Sequence, residues 1–125
     1  MEILKSYVKE KINFYQKNQN TELEKFNTIG FSDFLTRYSE CYYKHGCLLG
    51  LFNIVNEALN DDISKHIIFN SLTTMRRGFE QSRLHNNPVN FSTNPMANLI
   101  KLWEFELYAE YIKYIDKMLS MITIK

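Results

Sequence analysis

The stretch 94-NPMANLIKLWEFELYAEYIKYIDKMLSMI-122 predicts a long helix around which the rest of the chain packs. Asn94 is a favourable N-cap, and Pro95 suits the first helical position because its missing amide would have no helical partner there. Neither glycine nor proline follows Pro95, so we expect a single uninterrupted helix. Its polar residues recur at helical spacing along one narrow stripe: Glu106, Glu110, Lys113 and Lys117.

The remaining surface of this helix is apolar or aromatic over more than the roughly 100° that a helix at the edge of a small domain needs. We therefore expect it to contact both its own chain and a second copy, because two-fold dimers are the commonest soluble oligomers. The alternative is a central helix enclosed on all sides by its own domain. Four residues share the face predicted for the homodimer interface: Tyr111, Ile115, Met118 and Ile122.

Length, composition and charge indicate one globular domain spanning residues 1–125, long enough for a core without metal or disulfide bonds. The 15 Lys and Arg nearly balance the 14 Asp and Glu, so no basic surface indicates nucleic-acid binding. No run approaches the ~18 apolar residues of a membrane span. Charged Glu2 and Lys5 leave no apolar signal segment after Met1, so we expect a cytoplasmic protein without a membrane partner.

Apolar spacing predicts three helices in the first half of the chain. The first begins near Ile3 and ends at the polar cluster 18–21, after which an irregular connection leads to Gly30. The second extends from a Ser32 cap to Gly46, since glycine suits the left-handed position at a helix C-terminus. The third begins near Cys47 and stops at Asn60.

A fourth helix is predicted after Asp61 and Asp62, whose carboxylates would cap it, and it extends towards Leu84 with Gly78 as a weak point. A turn-rich loop then leads from His85 to the final helix. No segment of useful length alternates with the period of a strand. We therefore predict an all-α, single-domain helical bundle of about five helices.

The run 43-YKHGCLLG-50 resembles the GCLLG hallmark of TetR-family (tetracycline-repressor-like) transcription regulators, a helix-loop-helix segment of their C-terminal regulatory domain. The acidic turn at 61–62 before a long helix, and an Asn-Pro helix start before the Leu-Trp-Glu at 102–104, follow the family's order. The resemblance covers Ser32 to about Lys113. It implies a helical effector-binding and dimerisation domain whose ligand shifts the dimer between two arrangements.

Two departures from the family pattern concern DNA binding and dimerisation. Family members carry an N-terminal helix-turn-helix head, and its characteristic turn is absent from this sequence. We therefore expect DNA contact only through a head domain absent from this chain. Members also commonly break the C-terminal region into two helices, whereas residues 108–121 contain no break, which leaves the dimer geometry open.

If the middle helices pack as the resemblance implies, aromatic and soft side chains would line a pocket for a small planar or aliphatic ligand. The same residues at the same spacing also suit an ordinary filled core. The predicted ligand-binding residues are Tyr38, Tyr42, Phe52, Met75, Phe79, Trp103 and Leu107.

Catalytic and metal chemistry have weak support. His45 and Cys47 are two positions apart, but a histidine at a predicted helix end is explained more simply by capping. We expect no catalytic residue, no metal and no cofactor, and the protein is not predicted to be an enzyme. A head-less protein–protein interaction module with no ligand is the alternative function. Three arginines could bind an anion, although a solvated helix end explains them more simply: Arg76, Arg77 and Arg83.

Overall fold

The computed structural model describes residues 1–85 and 94–122. Within these ranges the chain forms five helices and no strand, which confirms the predicted all-α class and helix number. The helices are α1 (Glu2–Ile29), α2 (Phe31–Arg37), α3 (Ser39–Asn60), α4 (Lys65–His85) and α5 (Pro95–Ser120).

The helices belong to two compact units. The first unit, Glu2–Asp62, contains α1, α2 and α3, and the second, from Ile63 onwards, contains α4 and α5. The single-domain organisation expected from the chain length stays a prediction. None of the helices in the described ranges is both long and apolar enough to cross a lipid bilayer.

Helix α1 is continuous, so the predicted break at residues 18–21 is wrong. Thr21 donates its hydroxyl to the carbonyl of Lys17 at 3.0 Å, within the helix itself. The Gln19 side chain lies against Gly46 of α3, where an added Cβ would come 2.5 Å from Gln19 Nε2. Contacts with α3 therefore stabilise α1 through a segment whose local composition favours a turn.

The predicted bounds of the second and third helices are also wrong. Gly30, with φ +85°, is the N-cap of α2, whereas Ser32 lies inside the helix. Tyr38 separates α2 from α3, and α3 continues through Gly46. Gly46 therefore does not end a helix; it lies within α3, where the absence of a Cβ leaves room for the Gln19 side chain. The end of α3 at Asn60 is as predicted.

Ser64, not the two aspartates before it, caps α4. Its Oγ accepts a hydrogen bond from the amide of His66 at 3.3 Å. Asp61 instead follows the end of α3, and its amide donates to the carbonyl of Glu57 at 3.0 Å. Helix α4 continues through Gly78 to His85. Residues 86–93 of the predicted loop lie outside the described residues.

The start of α5 is as predicted. Asn94 Oδ1 accepts a hydrogen bond from the amide of Ala97 at 3.4 Å, and the helix begins at Pro95. The helix is unbroken to Ser120, as the absence of glycine and proline predicted. Of the predicted polar stripe, Glu106, Lys113 and Lys117 are exposed and Glu110 is half-buried.

Two antiparallel helix contacts build the cores of the units. In the first unit, Tyr7 meets Phe52 while the later Tyr15 meets both Phe52 and the earlier His45, so α1 and α3 run in opposite directions. Its buried apolar residues are Leu4, Val8, Tyr15, Phe34, Leu48, Leu51, Phe52, Val55 and Leu59. The buried apolar residues of α4, α5 and the turn after α5 are Ile68, Leu72, Leu107, Ile115, Met118 and Ile122.

Candidate functional site

The seven residues predicted to line a ligand pocket are divided between the two units. Tyr38, Tyr42 and Phe52 belong to the first unit. The other four belong to the second unit: Met75, Phe79, Trp103 and Leu107.

In the first unit, the predicted lining residues fall into separate aromatic groups. Tyr38 and Tyr42 lie beside Phe34 of α2, with ring centroids 6.4 and 5.7 Å away. Phe52 instead stacks on Tyr15 of α1 at 6.1 Å. Ten positions of α3 separate Tyr42 from Phe52, roughly 15 Å of helix. These rings therefore fill helix contacts at different heights and do not converge on one lining.

In the second unit, a ring stack fills the contact between α4 and α5. Phe79 stacks on Tyr111 at 4.4 Å and on Tyr108 at 5.8 Å. Leu107 is buried, whereas Met75 and Trp103 are half-buried. Phe79 thus contacts Tyr111, which was predicted to face a second subunit.

The residues predicted for the homodimer interface are already covered in the single chain. Ile115 and Met118 have no exposed surface, and Ile122 is 7 % exposed. Tyr111 stacks on Phe79. Contact with a second copy through Ile115 or Met118 would require these side chains to leave their present environment. The homodimer itself stays a prediction.

A polar contact between α1 and α3 was missed by the sequence analysis. Glu22, 9 % exposed, is the one charged residue buried within the described ranges. Its Oε1 lies 2.8 Å from Nδ1 of His45, but this nitrogen is not aligned as a hydrogen-bond donor to it. Glu22 Oε2 is also buried and has no hydrogen-bond partner among the described residues.

The surroundings of this pair come from one face of each helix. On α1, Tyr15 and Gln19 precede Glu22 by seven and three positions, a helical spacing that places all three on one side. The Tyr15 ring centroid lies 5.4 Å from that of His45. Gln19 lies against Gly46, the residue after His45. We call Tyr15, Gln19, Glu22, His45 and Gly46 the Glu22–His45 cluster.

Cys41 lies one helical turn before His45 on α3, and the raised pKa of its thiol makes it a weaker nucleophile at neutral pH. Partial burial raises its pKa, and the negative charges of Glu22 and Glu40 raise it further, while Lys44 opposes them. A raised pKa means less thiolate at neutral pH, the reverse of what an activated nucleophile needs. Cys41 and Cys47 are both free thiols.

The two residues of the weak His45–Cys47 pattern do not share a direction on α3. His45 faces Glu22 on α1, and residues two positions apart on a helix point to different sides. Within the ranges that the structure describes, no three His, Cys, Asp or Glu side chains converge in a way that could hold a metal ion.

Two of the three arginines considered for an anion site have partners on α4 and α5. Arg76 Nε lies 2.6 Å from Asp116 Oδ1, and Nη1 lies 3.2 Å from Glu80 Oε2. The Asp116 carboxylate, and to a lesser extent Glu80, raises the pKa of the Arg76 guanidinium. The Arg83 guanidinium lies over the Phe105 ring, 4.4 Å from its centroid. These contacts join α4 to α5 and leave Arg77 exposed.

The residues that resemble the TetR hallmark do not form a helix-loop-helix. All of residues 43–50 lie inside α3. A relationship to TetR-family regulators, with the ligand binding it implies, therefore has the sequence resemblance as its only support. No family model, no curated protein and no solved structure matches this chain.

Proposed function

We propose that this chain is a helical protein–protein interaction module that pairs with a second copy of itself through α2. The observation that carries the proposal is the exposure of two large apolar side chains, Phe31 at 65 % and Leu35 at 49 %. They are four positions apart and therefore neighbours on the helix surface. The Phe26 ring of α1, 6.2 Å from Phe31, extends the same apolar surface. Contiguous exposed apolar surface of this kind is typical of a contact with a partner.

An adjacent face of α2 is anchored in the first unit. Phe34 is buried, with its ring centroid 5.1 Å from Phe26 and 5.7 Å from Tyr42. The helix is thus held in place while Phe31 and Leu35 project outwards. A surface that is already ordered loses less conformational entropy when it binds.

A second copy is the favoured partner because a two-fold axis brings the same surface of both copies together, and an apolar surface is complementary to itself. The formal net charge of +1 offers little repulsion between copies. Burial of each large apolar side chain contributes roughly 1.5–3 kcal/mol, and much of this is offset by lost freedom of motion. We expect a weak dimer, with a dissociation constant on the order of micromolar to millimolar.

Sedimentation velocity over about 10 µM to 1 mM, the range of that dissociation constant, tests the proposal. The average molecular mass of the wild type should rise with concentration towards that of a dimer. The Phe31→Ser/Leu35→Ser variant should remain monomeric. Ile54→Ser is the matched control, since Ile54 is 60 % exposed on α3 and its loss should leave association unchanged. A monomeric wild type throughout, or a double variant that associates like the wild type, would contradict the proposal.

The effector-binding function implied by the TetR resemblance is a second proposal. Trp103 is half-buried in the unit that holds Met75, Phe79 and Leu107, so a ligand bound against these residues would change the emission of the indole. Ligands selected by thermal shift should therefore quench or shift this fluorescence. A ligand that leaves the emission unchanged and binds Trp103→Phe equally well would argue against this site.

A further inference from the structure

The core of the α1–α3 contact changes from apolar to polar along its length. On α1, the buried residues before position 16 are all apolar or aromatic: Leu4, Val8 and Tyr15. From position 16 to the end of the helix, the one buried residue is Glu22. The four follow one another at spacings of four and seven, so they lie on one side of α1. Glu22 therefore occupies a core position that an apolar or aromatic side chain fills in the first half of the helix.

The facing positions of α3 show the same change. At alternating spacings of three and four, α3 presents a run of buried apolar residues: Leu48, Phe52, Val55 and Leu59. The same spacing, continued towards the start of α3, reaches His45. Because α1 and α3 are antiparallel, the apolar residues meet over one half of the contact, while Glu22 lies against His45 in the other half.

The polar half of this core is incompletely hydrogen-bonded. Glu22 Oε2 and His45 Nδ1 are both buried, and neither has a hydrogen-bond partner among the described residues. A buried polar atom without a partner costs the free energy of its lost hydration. Around Glu22 the contact thus gains less from burial than it does around Leu4 and Val8, which bury only apolar surface.

Little else attaches the C-terminal half of α1, residues 16–29, to the rest of the unit. Apart from Glu22, its side chains are exposed or half-buried. Phe26 is the largest of the half-buried ones and packs edge-to-face on Phe34 of α2, with ring centroids 5.1 Å apart. The asparagines and threonines of this segment have low helix preference. Its helical state therefore depends on a contact that is itself weak.

We propose that residues 16–29 form a locally opening segment, and that the buried Glu22–His45 contact keeps the attachment of this segment to α3 weak. In the minor, open state the segment leaves α3, while the apolar half of the contact, from Leu4 to Tyr15, remains closed. Opening withdraws Phe26 from Phe34 and uncovers a ring that the closed state buries. The unit thus has two states that differ in exposed aromatic surface and interconvert without unfolding of its apolar core.

Amide hydrogen exchange on the full chain, read by mass spectrometry and corrected for intrinsic rates, tests this device. In the wild type, protection of residues 16–29 should be roughly ten-fold lower than that of residues 2–15 of the same helix. Exchange of residues 16–29 should also change little in low concentrations of urea, because local opening exposes little surface.

The double variant Glu22→Met/His45→Leu replaces the polar pair with apolar side chains of similar size. It should raise the protection of residues 16–29 roughly ten-fold, because apolar replacement of a buried polar pair often strengthens a core. Methionine has nearly the helix preference of glutamate, so local propensity would not cause this gain. The matched control Glu24→Met/His66→Leu makes the same changes at exposed positions and should leave the protection of this segment unchanged.

Equal protection along the whole of α1 in the wild type would overturn the proposal. So would a double variant whose residues 16–29 are no better protected than in the wild type, or a control that gains as much. Should the double variant fail to fold, the wild type decides the matter through its urea dependence. Exchange of residues 16–29 that accelerates with urea as steeply as that of residues 2–15 would mean global unfolding and would also overturn the proposal.

Discussion

The two antiparallel helix contacts, α1 with α3 and α4 with α5, differ in where their charged side chains lie. Between α1 and α3 the carboxylate of Glu22 is buried against His45. Between α4 and α5 the ion pair of Arg76 with Asp116 lies at the surface, where each side chain is at least one-third exposed. Stacked rings, with Phe79 on Tyr108 and Tyr111, occupy the contact beside it.

This difference indicates how strongly salt should act on each helix contact. A surface ion pair is screened by salt and contributes little, so rings and apolar area stabilise the α4–α5 contact. A buried carboxylate is screened much less by salt, so the α1–α3 contact should depend less on ionic strength.

The largest effect is expected from removing an aromatic residue of the α1–α3 contact. Phe52 is fully buried and packs on Tyr7 and Tyr15, so Phe52→Ala leaves a cavity that should lower the free energy of unfolding by about 3–5 kcal/mol. Urea denaturation followed by circular dichroism measures this loss. The control Phe14→Ala removes a ring that is 52 % exposed and should cost far less. Equal losses in the two variants would mean that Phe52 is not part of a core.

A smaller change in stability is expected from alanine substitutions at Gly46 of α3 and Gly78 of α4, and it should differ between the two. An added Cβ at Gly78 meets nothing within 4 Å, so Gly78→Ala should raise the free energy of unfolding by roughly 0.5–1 kcal/mol through helix preference. At Gly46 the same methyl group would come 2.5 Å from Gln19 Nε2 and displace that side chain. Gly46→Ala should therefore stabilise less than Gly78→Ala. Thermal unfolding of the two variants side by side measures the difference, and equal gains would show that the Gln19 contact contributes nothing.

The smallest effect concerns the reactivity of Cys41. Burial and the Glu22 charge raise the pKa of this thiol, so removal of that charge in Glu22→Gln should lower the pKa towards its ordinary value. More thiolate is then present at a fixed pH near 8, and alkylation by iodoacetamide should accelerate roughly two-fold. Peptide mass spectrometry measures the rate at Cys41, with Cys47 as the internal reference. An unchanged ratio of the two rates would mean that Glu22 does not act on Cys41.

Local signals explain which parts of this fold were predictable from the sequence. The start of α5 was predicted correctly because Asn94 and Pro95 define it within four residues of chain, as the Asn94–Ala97 hydrogen bond confirms. The end of α3 at Asn60 was also predicted correctly. In both cases the residues that determine the boundary are neighbours in sequence, so no knowledge of the packing was needed.

Two of the wrong predictions depend on contacts between helices. Gly46 and the polar segment 18–21 each favour a helix end by composition, yet they lie opposite one another in a helix contact through Gln19. The Glu22–His45 cluster was missed for the same reason, since 23 positions separate Glu22 from His45 and only the pairing of α1 with α3 brings them together. A glutamate in a polar stretch carries no local signal that it will be buried.

Gly30, the N-cap of α2, has a consequence for how substitutions should be tolerated along this chain. It is exposed, and an added Cβ would meet nothing within 4 Å, so by packing alone any residue should be accepted there. Its φ of +85° nevertheless belongs to a region of backbone conformation that side chains of L-residues rarely adopt. In a saturation scan of every position, this open surface site should be as intolerant of replacement as a buried residue. A D-alanine introduced there by chemical synthesis should be the exception, because its mirror-image stereochemistry matches the backbone.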